Sequence, residues 1–424
     1  MDIGRAAAMV LAHHGQARPK VLIAMDTRIS SQMLECALSA GLCSVGTDVV
    51  SVGVVPTPAA AFLVKKLQCN AGIMISASHN PCEYNGIKLF DGEGYKLPDA
   101  LEEEIESIVL DQSCAVPVPI KGDLGRIVYR PDAVDLYIDH ICSTVRERLD
   151  GLKVALDCAN GAASKTAYRI FSSLGAQCCM LCDQPDGVNI NEGCGSTHME
   201  KIADFVVKNG CDVGLAFDGD ADRCLAVDHE GNLIDGDKMI AIAALDKKKN
   251  GTLKNNTVVM TVMSNIGFFK FAKENDIQVL TTKVGDRYVL EQMKANGHCI
   301  GGENSGHIIF SDYATTGDGQ LSGLQLLAIM KRTGKSLKEL AKVMETFPQV
   351  LVNIKTTNAI KETYERDEHV IASIRAVEET LGNDGRVLVR ASGTEPLIRV
   401  MLEGKCIDEI TALAEQIADT IRAL

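Results

Sequence analysis

Three times along this chain an apolar run ends in a small polar cluster and hands over to a stretch whose apolar residues are spaced for a helix. KVLIAMDTR (20–28) leads to Leu34, Leu38 and Leu42, and LKVALDCANG (152–161) to Ala167, Ile170 and Phe171. TVVMTVMSN (257–265) leads to Phe268, Phe269 and Phe271. Another strand-like run follows each: DVVSVGVV, AQCCMLC and IQVLTT. Strand–helix–strand alternation with apolar strands predicts α/β layers, paired mostly in parallel. A spacing of about a hundred residues fits three related α/β domains better than a solenoid, whose repeats run to roughly 20–50 residues.

The tail breaks the rhythm. PQVLVNIKTT, GRVLVRAS and PLIRVMLEG are strand-like, and helices are predicted over 363–381 and 407–423, the latter apolar at Ile407, Ile410, Leu413, Ile417 and Ile421. That composes a smaller α+β domain. VPVPIKGDLG (116–125) reads as a linker or irregular edge, and FPQV (347–350) as the last boundary. The expected organisation is three tandem mixed-sheet α/β domains at 1–125, 126–233 and 234–345, then the α+β domain at 346–424.

The net charge is −13, and the basic residues are scattered. This argues against nucleic acid and anionic membranes as partners but leaves room for a local phosphate pocket. No apolar run approaches the ~20 residues that span a bilayer. The start, MDIGRAAAMVLAHHG, is helix-like with an acid at Asp2 and no cleavage pattern. The fifteen cysteines are odd in number. Cys36, Cys43, Cys158 and Cys211 sit in apolar company and read as small core residues. CCMLC (178–182) contains a CxxC, but within a strand-like run and with no second pair at zinc spacing. A reducing, cytoplasmic setting is expected.

FDGDADR (217–223) carries the sharpest chemical signal. It follows the apolar run CDVGLAF, so Asp218, Asp220 and Asp222 stand at a strand's end, where α/β sites are found. Three carboxylates at alternate positions repel one another, and a hard divalent ion removes that penalty, with Gly219 letting the loop curl. An EF-hand is excluded, because Arg223 stands at its sixth position and His229 at its twelfth. A phosphatase with an aspartyl nucleophile and a solvated acidic turn remain as rivals.

RASGTEPLIRV (390–400) lies between two strand-like runs. Ser392, Gly393 and Thr394 offer hydroxyls and close backbone N–H groups, and Arg390 and Arg399 offer forked donors for phosphate oxygens. A polar hairpin turn with two surface arginines is the plain alternative. In GGENSGH (301–307), glycines around Glu303 and Ser305 allow close backbone approach, and a carboxylate with a hydroxyl two residues on suits a sugar diol. A tight turn explains it nearly as well. KVGDRYV (283–289) reads as a helix entry with Asp286 in the first turn.

ISASHNP (75–81) follows the buried run AGIMI. No strained hydrolase elbow of the Gly-x-Ser-x-Gly kind is visible there. A phosphoryl carrier needs an exposed hydroxyl beside a cation and cationic side chains, and Ser78 with the aspartate loop meets that need. Ser76 and Asn80 read as turn caps.

In this order, SASHNP, DGDADR, GENSGH and RASGTEPLIRV resemble the serine, metal, sugar and phosphate loops of the α-D-phosphohexomutase family, which carries one per domain around a central cleft. GIMISASHNP, NGIKLF, TKVGDRYV and SGTEPLIRVM resemble most closely its bacterial glucosamine-phosphate members. The resemblance implies a phosphorylated Ser78 that interconverts glucosamine 6-phosphate and glucosamine 1-phosphate through a bisphosphate, feeding UDP-N-acetylglucosamine and cell-wall precursors. It implies one Mg²⁺ held by Ser78, Asp218, Asp220 and Asp222, with Arg223 stabilising charge. Glucose 1,6-bisphosphate or glucosamine 1,6-bisphosphate is the implied activator. Glu303, Asn304 and Ser305 would hold the sugar; Arg390, Ser392, Gly393, Thr394 and Arg399 would hold the phosphate that is not reacting. Lys88 or His307 would move the hydroxyl proton, and His79 would brace the serine loop.

Two departures stand out. The family's opening strand and Gly-Thr-Asp-Gly-x-Arg-Gly segment are not seen before MDIGRAAAMVL, which keeps a low-activity phosphosugar-binding relic among the alternatives. Asn304 stands where glutamine is common, which keeps mannose or glucose phosphate in play. A hydrolase, in which water breaks a covalent intermediate at Asp218 or Ser78, is a further alternative. A homodimer is one expectation for assembly; the other partner is the small-molecule phosphosugar itself.

Overall fold

The computed structural model describes residues 1–11, 18–111, 119–392 and 395–424. Gly393, Thr394, the first residues of the 116–125 linker and the end of the opening helical run fall outside them.

Four sheets carry the chain. The first holds β1 (Lys20–Met25), β2 (Asp48–Val54), β3 (Ala71–Ile75), β4 (Ile87–Asp91) and β5 (Ile127–Tyr129), in the order β4-β3-β1-β2-β5. The second holds β6 (Lys153–Asp157), β7 (Gln177–Leu181), β8 (Val213–Phe217), β9 (Cys224–Asp228) and β10 (Leu233–Ile234), ordered β10-β9-β8-β6-β7. The third holds β11 (Thr257–Thr261), β12 (Gln278–Thr282), β13 (Ile300–Gly302) and β14 (Ile308–Phe310), ordered β12-β11-β13-β14. Each repeats one plan. The first strand is central, the second and third flank it in parallel, and the fourth turns back antiparallel on the third.

The middle residues of the central strands are apolar, as parallel strands covered on both faces require. β3 and β8 are buried at every residue, whereas the edge strand β5 is exposed at all three. β5 pairs in parallel with β2 in the first sheet, beyond the 116–125 stretch read as a linker. The opening helix, Asp2–Leu11, buries Ala6, Ala7 and Ala8 in the first sheet's core, and small residues there permit its close packing. Gly41 marks the contact: a Cβ there would lie 2.2 Å from the Met1 carbonyl oxygen.

The fourth sheet is wholly antiparallel: β15 (Gln349–Lys355), β16 (Arg386–Ala391) and β17 (Leu397–Glu403), ordered β15-β17-β16. Its helices run over Glu368–Leu381 and Ile407–Arg422, and the apolar face of the latter closes the core. The helix predicted from 363 therefore begins at 368. Asp367 caps it, accepting from the N–H groups of His369 and Val370.

The chain packs as two compact units, 1–263 with 276–343, and 264–275 with 344–424. The helix Ile266–Glu274, expected in the third α/β domain, thus packs with the fourth sheet. There Glu403 accepts from the Ile266 N–H at 2.9 Å, and Asn265 exchanges two hydrogen bonds with the Phe347 backbone. Cys36 is exposed, contrary to its reading as a core residue; Cys158 and Cys211 are buried. No helix among the described residues is long and apolar enough to cross a membrane.

Candidate active site

The chemical motifs of the first three sheets occupy one equivalent place, the turn between the third and fourth strands. Ser76–Pro81 follows β3, Asp218–Arg223 joins β8 to β9, and Glu303–His307 joins β13 to β14. These turns lie at the carboxyl ends of parallel strands, where backbone groups leave the ladder and become free to bind.

Ser78 stands in the left-handed region at φ 51°, held there from several sides. The Ser76 hydroxyl accepts from the Ser78 N–H at 2.9 Å. Arg28, just past β1, is 2 % exposed and pairs with Asp26 at 2.9 Å. Its guanidinium donates to the carbonyls of Ser78 (3.0 Å), Asn80 (2.7 Å), Pro81 and Tyr84 (3.0 Å). Asn191 donates to the Ser78 and Asn80 carbonyls at 2.9 and 3.0 Å. Neither Arg28 nor Asn191 was singled out from sequence. Their partners are carbonyls 50 or more residues away, and the only local signal was an Asp-x-Arg behind a buried strand.

So clamped, the Ser78 hydroxyl donates to Asp218 Oδ2 at 2.6 Å. A Cβ on Gly219 would lie 2.5 Å from the Ser78 carbonyl oxygen, so glycine is what lets the serine and aspartate loops meet. His79 lies at the edge, its Nδ1 3.5 Å from Ser78 Oγ, and burial together with Arg223 lowers its pKa.

Asp218, Asp220 and Asp222 are 1, 0 and 4 % exposed and offer one oxygen each within 4.8 Å of one another. Burial, with Asp222 and Asp220 alongside, drives the Asp218 carboxyl well above its usual range. Burial pushes Asp222 the same way, but Lys88 and His307 outweigh it and hold that group well below. One oxygen each of Asp220 and Asp222 is buried with no hydrogen-bond partner. Unsatisfied anionic oxygens, all hard donors and converging within a few ångströms, are what a divalent cation such as Mg²⁺ requires. The residues fit the ion.

The surrounding cations offset part of that charge. Lys88, on β4, lies 2.6 Å from Asp220 and 3.4 Å from Asp222. Burial lowers its pKa, but the two carboxylates outweigh this and raise it. The Arg223 backbone N–H donates to Asp218 Oδ1 at 3.1 Å, and its buried Nε, without a hydrogen bond among the described residues, lies 3.9 Å from Asp222. Thr57 donates from both its N–H and its hydroxyl to Asp220.

His307 is 3 % exposed. Its Nε2 accepts from the Gly317 N–H at 3.0 Å, and its Nδ1 lies 3.7 Å from Asp222. Both nitrogens are thus engaged inside the protein. Glu303 accepts from the Gly285 N–H at 3.1 Å, at the entry to the helix Asp286–Asn296, and the Asn304 carbonyl accepts from Gly236 at 3.0 Å. The Ser305 hydroxyl is buried and unpartnered.

Arg390 and Arg399 are directly opposite in the β16–β17 register, in the unit of the fourth sheet. Burial and the neighbouring Arg399 lower the Arg390 pKa, and Nε of both is buried with no hydrogen-bond partner among the described residues. Like charges opposite one another on a sheet are destabilising, so the pair calls for an anion. Arg399 also pairs with Glu395 at 2.8 Å, and the Ser392 hydroxyl accepts from Glu395 N–H at 3.3 Å.

Known families match this arrangement along its length. Phosphoglucomutase/phosphomannomutase alpha/beta/alpha domains I, II and III match residues 1–114, 135–231 and 235–347, and the C-terminal domain matches 351–420. A phosphoglucosamine mutase of Clostridium novyi is 55% identical over 420 residues, covering 99% of this chain and 93% of its own. A crystal structure of a phosphoglucomutase/phosphomannomutase family protein from Burkholderia thailandensis superposes with a TM-score of 0.83 at 25% identity, over 100% of this chain and 92% of the other. The N-acetylphosphoglucosamine mutase of Aspergillus fumigatus, solved with GlcNAc-6P and magnesium, shares the fold at TM-score 0.67 and 20% identity, over 87% of this chain and 92% of the other. The chain belongs to the phosphoglucomutase/phosphomannomutase family, the α-D-phosphohexomutases. It is an intramolecular phosphotransferase of the isomerase class, and within the family its sequence is similar to phosphoglucosamine mutases.

Proposed function

We propose that the chain interconverts glucosamine 6-phosphate and glucosamine 1-phosphate by way of a phosphorylated Ser78 and glucosamine 1,6-bisphosphate. The observation that carries this reading is the Ser78 hydroxyl held 2.6 Å from Asp218, on a clamped and strained turn beside three buried aspartates. An exposed hydroxyl on a rigid turn is a phosphoryl carrier's need, since transfer rests on positioning and charge rather than on a chain of covalent steps.

In the forward direction the phosphoryl group leaves Ser78 Oγ for the sugar's 1-hydroxyl, whose proton passes to the freed serine oxygen and, when that oxygen takes the 6-phosphoryl group, on to the sugar's 6-oxygen. Lys88 is our candidate for that movement, once its carboxylate partners are engaged elsewhere. His307 is set to orient Asp222. The bisphosphate then turns, and Ser78 takes back the 6-phosphoryl group. Asp218, Asp220, Asp222 and an oxygen on phosphorylated Ser78 would hold Mg²⁺, which would supply charge neutralisation for the transferring group. Arg223 adds positive charge on the same side. Glu303, Asn304 and Ser305 hold sugar hydroxyls, and the loop from Arg390 to Arg399, with Ser392, Gly393 and Thr394, grips the phosphate that is not reacting. One loop serves from each of four domains divided near 125, 233 and 345. A trace of glucose 1,6-bisphosphate or glucosamine 1,6-bisphosphate keeps Ser78 phosphorylated, and the setting is cytoplasmic.

The test is a coupled assay with Mg²⁺ and glucose 1,6-bisphosphate, offered glucosamine, glucose and mannose phosphates in turn. A marked preference for glucosamine phosphate, lost in Ser78→Ala, is expected. Equal or faster turnover of mannose or glucose phosphate overturns the substrate, and release of inorganic phosphate overturns the mutase.

A further inference from the structure

At the ends of β6 and β7 the second sheet carries a cluster outside the chemistry just described. Asp157 and Cys194 are fully buried, Cys182 is half-buried, and their oxygen and sulfur atoms lie within 4.8 Å of one another. Two sulfurs and a carboxylate would suit a zinc-like ion in kind, but the arrangement argues against one. Asp157 already accepts from the Ala159 N–H at 2.9 Å and the Gly195 N–H at 3.0 Å. Lys201, on the helix Met199–Asn209, stands near enough for its positive charge to act on the Cys182 sulfur. What this favours is a thiolate.

The neighbouring Cys194 thiol, opposed by burial and helped by Lys201, brings Cys182 down to about 7, while Cys182 and burial raise Cys194. Burial instead pushes Cys69, Cys158, Cys178 and Cys224 up. The backbone is also strained here. Cys182, Ala159 and Asn160 stand at φ 45°, 52° and 48°, a region that residues with side chains seldom occupy and that recurs at working sites.

We propose that Cys182 and Cys194 are a peroxide-reactive pair that closes to a disulfide and slows the mutase by shifting the serine clamp. The Cys182 thiolate attacks one peroxide oxygen and the O–O bond breaks, giving a sulfenic acid and hydroxide. The Cys194 sulfur then attacks the sulfenic sulfur; its proton joins the departing oxygen, and water leaves. Two thiols lose two electrons in all, and the peroxide becomes two waters. The sulfurs must close to about 2.05 Å, which draws on the segment that carries Cys194. Asn191, three residues before Cys194, is the side chain that holds the Ser78 and Asn80 carbonyls. Gly195, the next residue, is closely packed: a Cβ there would lie 2.5 Å from the Phe217 carbonyl oxygen and 2.7 Å from the Ala159 side chain.

The reduced full chain is treated with stoichiometric hydrogen peroxide, alkylated, and mapped by peptide mass, a readout independent of which sugar the enzyme prefers. The expected result is a Cys182–Cys194 link that forms before the exposed Cys36 and Cys406 are oxidised. Turnover should fall on the order of tenfold in step with the link, through misplacement of Ser78, and return with dithiothreitol. Cys194→Ala should form no link and keep its rate through the same dose, and Lys201→Ala should link more slowly. Oxidation of Cys36 or Cys406 while Cys182 stays reduced overturns the pair. A link with unchanged turnover overturns its effect on the clamp. Zinc that survives dialysis on the reduced chain and is lost in Cys182→Ser makes the cluster a cation site instead.

Discussion

A guanidinium buried as deeply as Arg28 gives up its hydration and must recover it from the protein. It does so from the Asp26 carboxylate and from four carbonyls of the serine loop. The planar fork allows this, since its donors point in fixed, diverging directions. Lysine at this place keeps the charge opposite Asp26, but its three donors radiate from one nitrogen and cannot span the loop. Arg28 is therefore a positioning residue: it fixes where Ser78 Oγ stands. For Arg28→Lys, kcat should fall by on the order of a hundredfold, the loss that about 1 Å of misplacement brings. KM for the sugar phosphate should stay within about twofold, because the proposed sugar and phosphate contacts lie on other loops. Steady-state kinetics with the phosphorylated enzyme reads both. A rise in KM with kcat intact would mean that Arg28 serves substrate binding instead.

The site's elements are hairpin turns, and this decides what was legible in the sequence. Ser78, the three aspartates and the glycines around Glu303 each stand within one short turn behind an apolar strand, so residue type and spacing showed them. The clamp on Ser78 and the capping bond from Glu303 to Gly285 join distant segments and left no local pattern. The contacts that group the helix Ile266–Glu274 with the fourth sheet's unit were illegible for the same reason. Its anchors, Glu403 and Phe347, come from the far end of the chain. Asp318 is a further case. It caps the buried helix Gly319–Thr333, accepting from the Leu321 N–H at 2.9 Å and from the Tyr137 hydroxyl at 3.0 Å. Burial raises its pKa to about 7, opposed by those bonds. In the unfolded chain the group ionises near the ordinary carboxyl value of 3.8, so between pH 4 and pH 7 the folded state holds the extra proton. Its contribution to stability is fully present below that window and is lost as pH rises through it. Asparagine keeps the cap without the charge. Asp318→Asn should therefore gain stability relative to the parent as pH rises from 5 to 8, by on the order of a few kcal/mol. Urea titrations at the two pH values measure it, and a difference between parent and variant that does not change with pH would refute the assignment.

Across the whole molecule, one four-strand plan is used three times, and the same turn of each copy carries a different chemistry: a hydroxyl, a set of carboxylates and a carboxylate–hydroxyl pair. Ser78 and all three aspartates fall in the unit made by the first three sheets, whereas the opposed arginines fall in the unit of the fourth. Stability should report this division. Three buried carboxylates within reach of one another oppose folding unless a cation joins them, and an ion that binds only the folded site stabilises it by mass action, about 2.7 kcal/mol at a hundred times its dissociation constant. Mg²⁺ should raise the calorimetric transition of the larger unit by several degrees and leave that of the fourth sheet's unit in place. EDTA should reverse the gain. Asp220→Asn should lose most of it, since that oxygen is both buried and unpartnered. The readout needs no substrate and no turnover. A scan that does not move with Mg²⁺, or that moves equally in Asp220→Asn, would separate the aspartate cluster from the ion, and the carboxylates would then have to be held by Lys88, Arg223 and His307 alone.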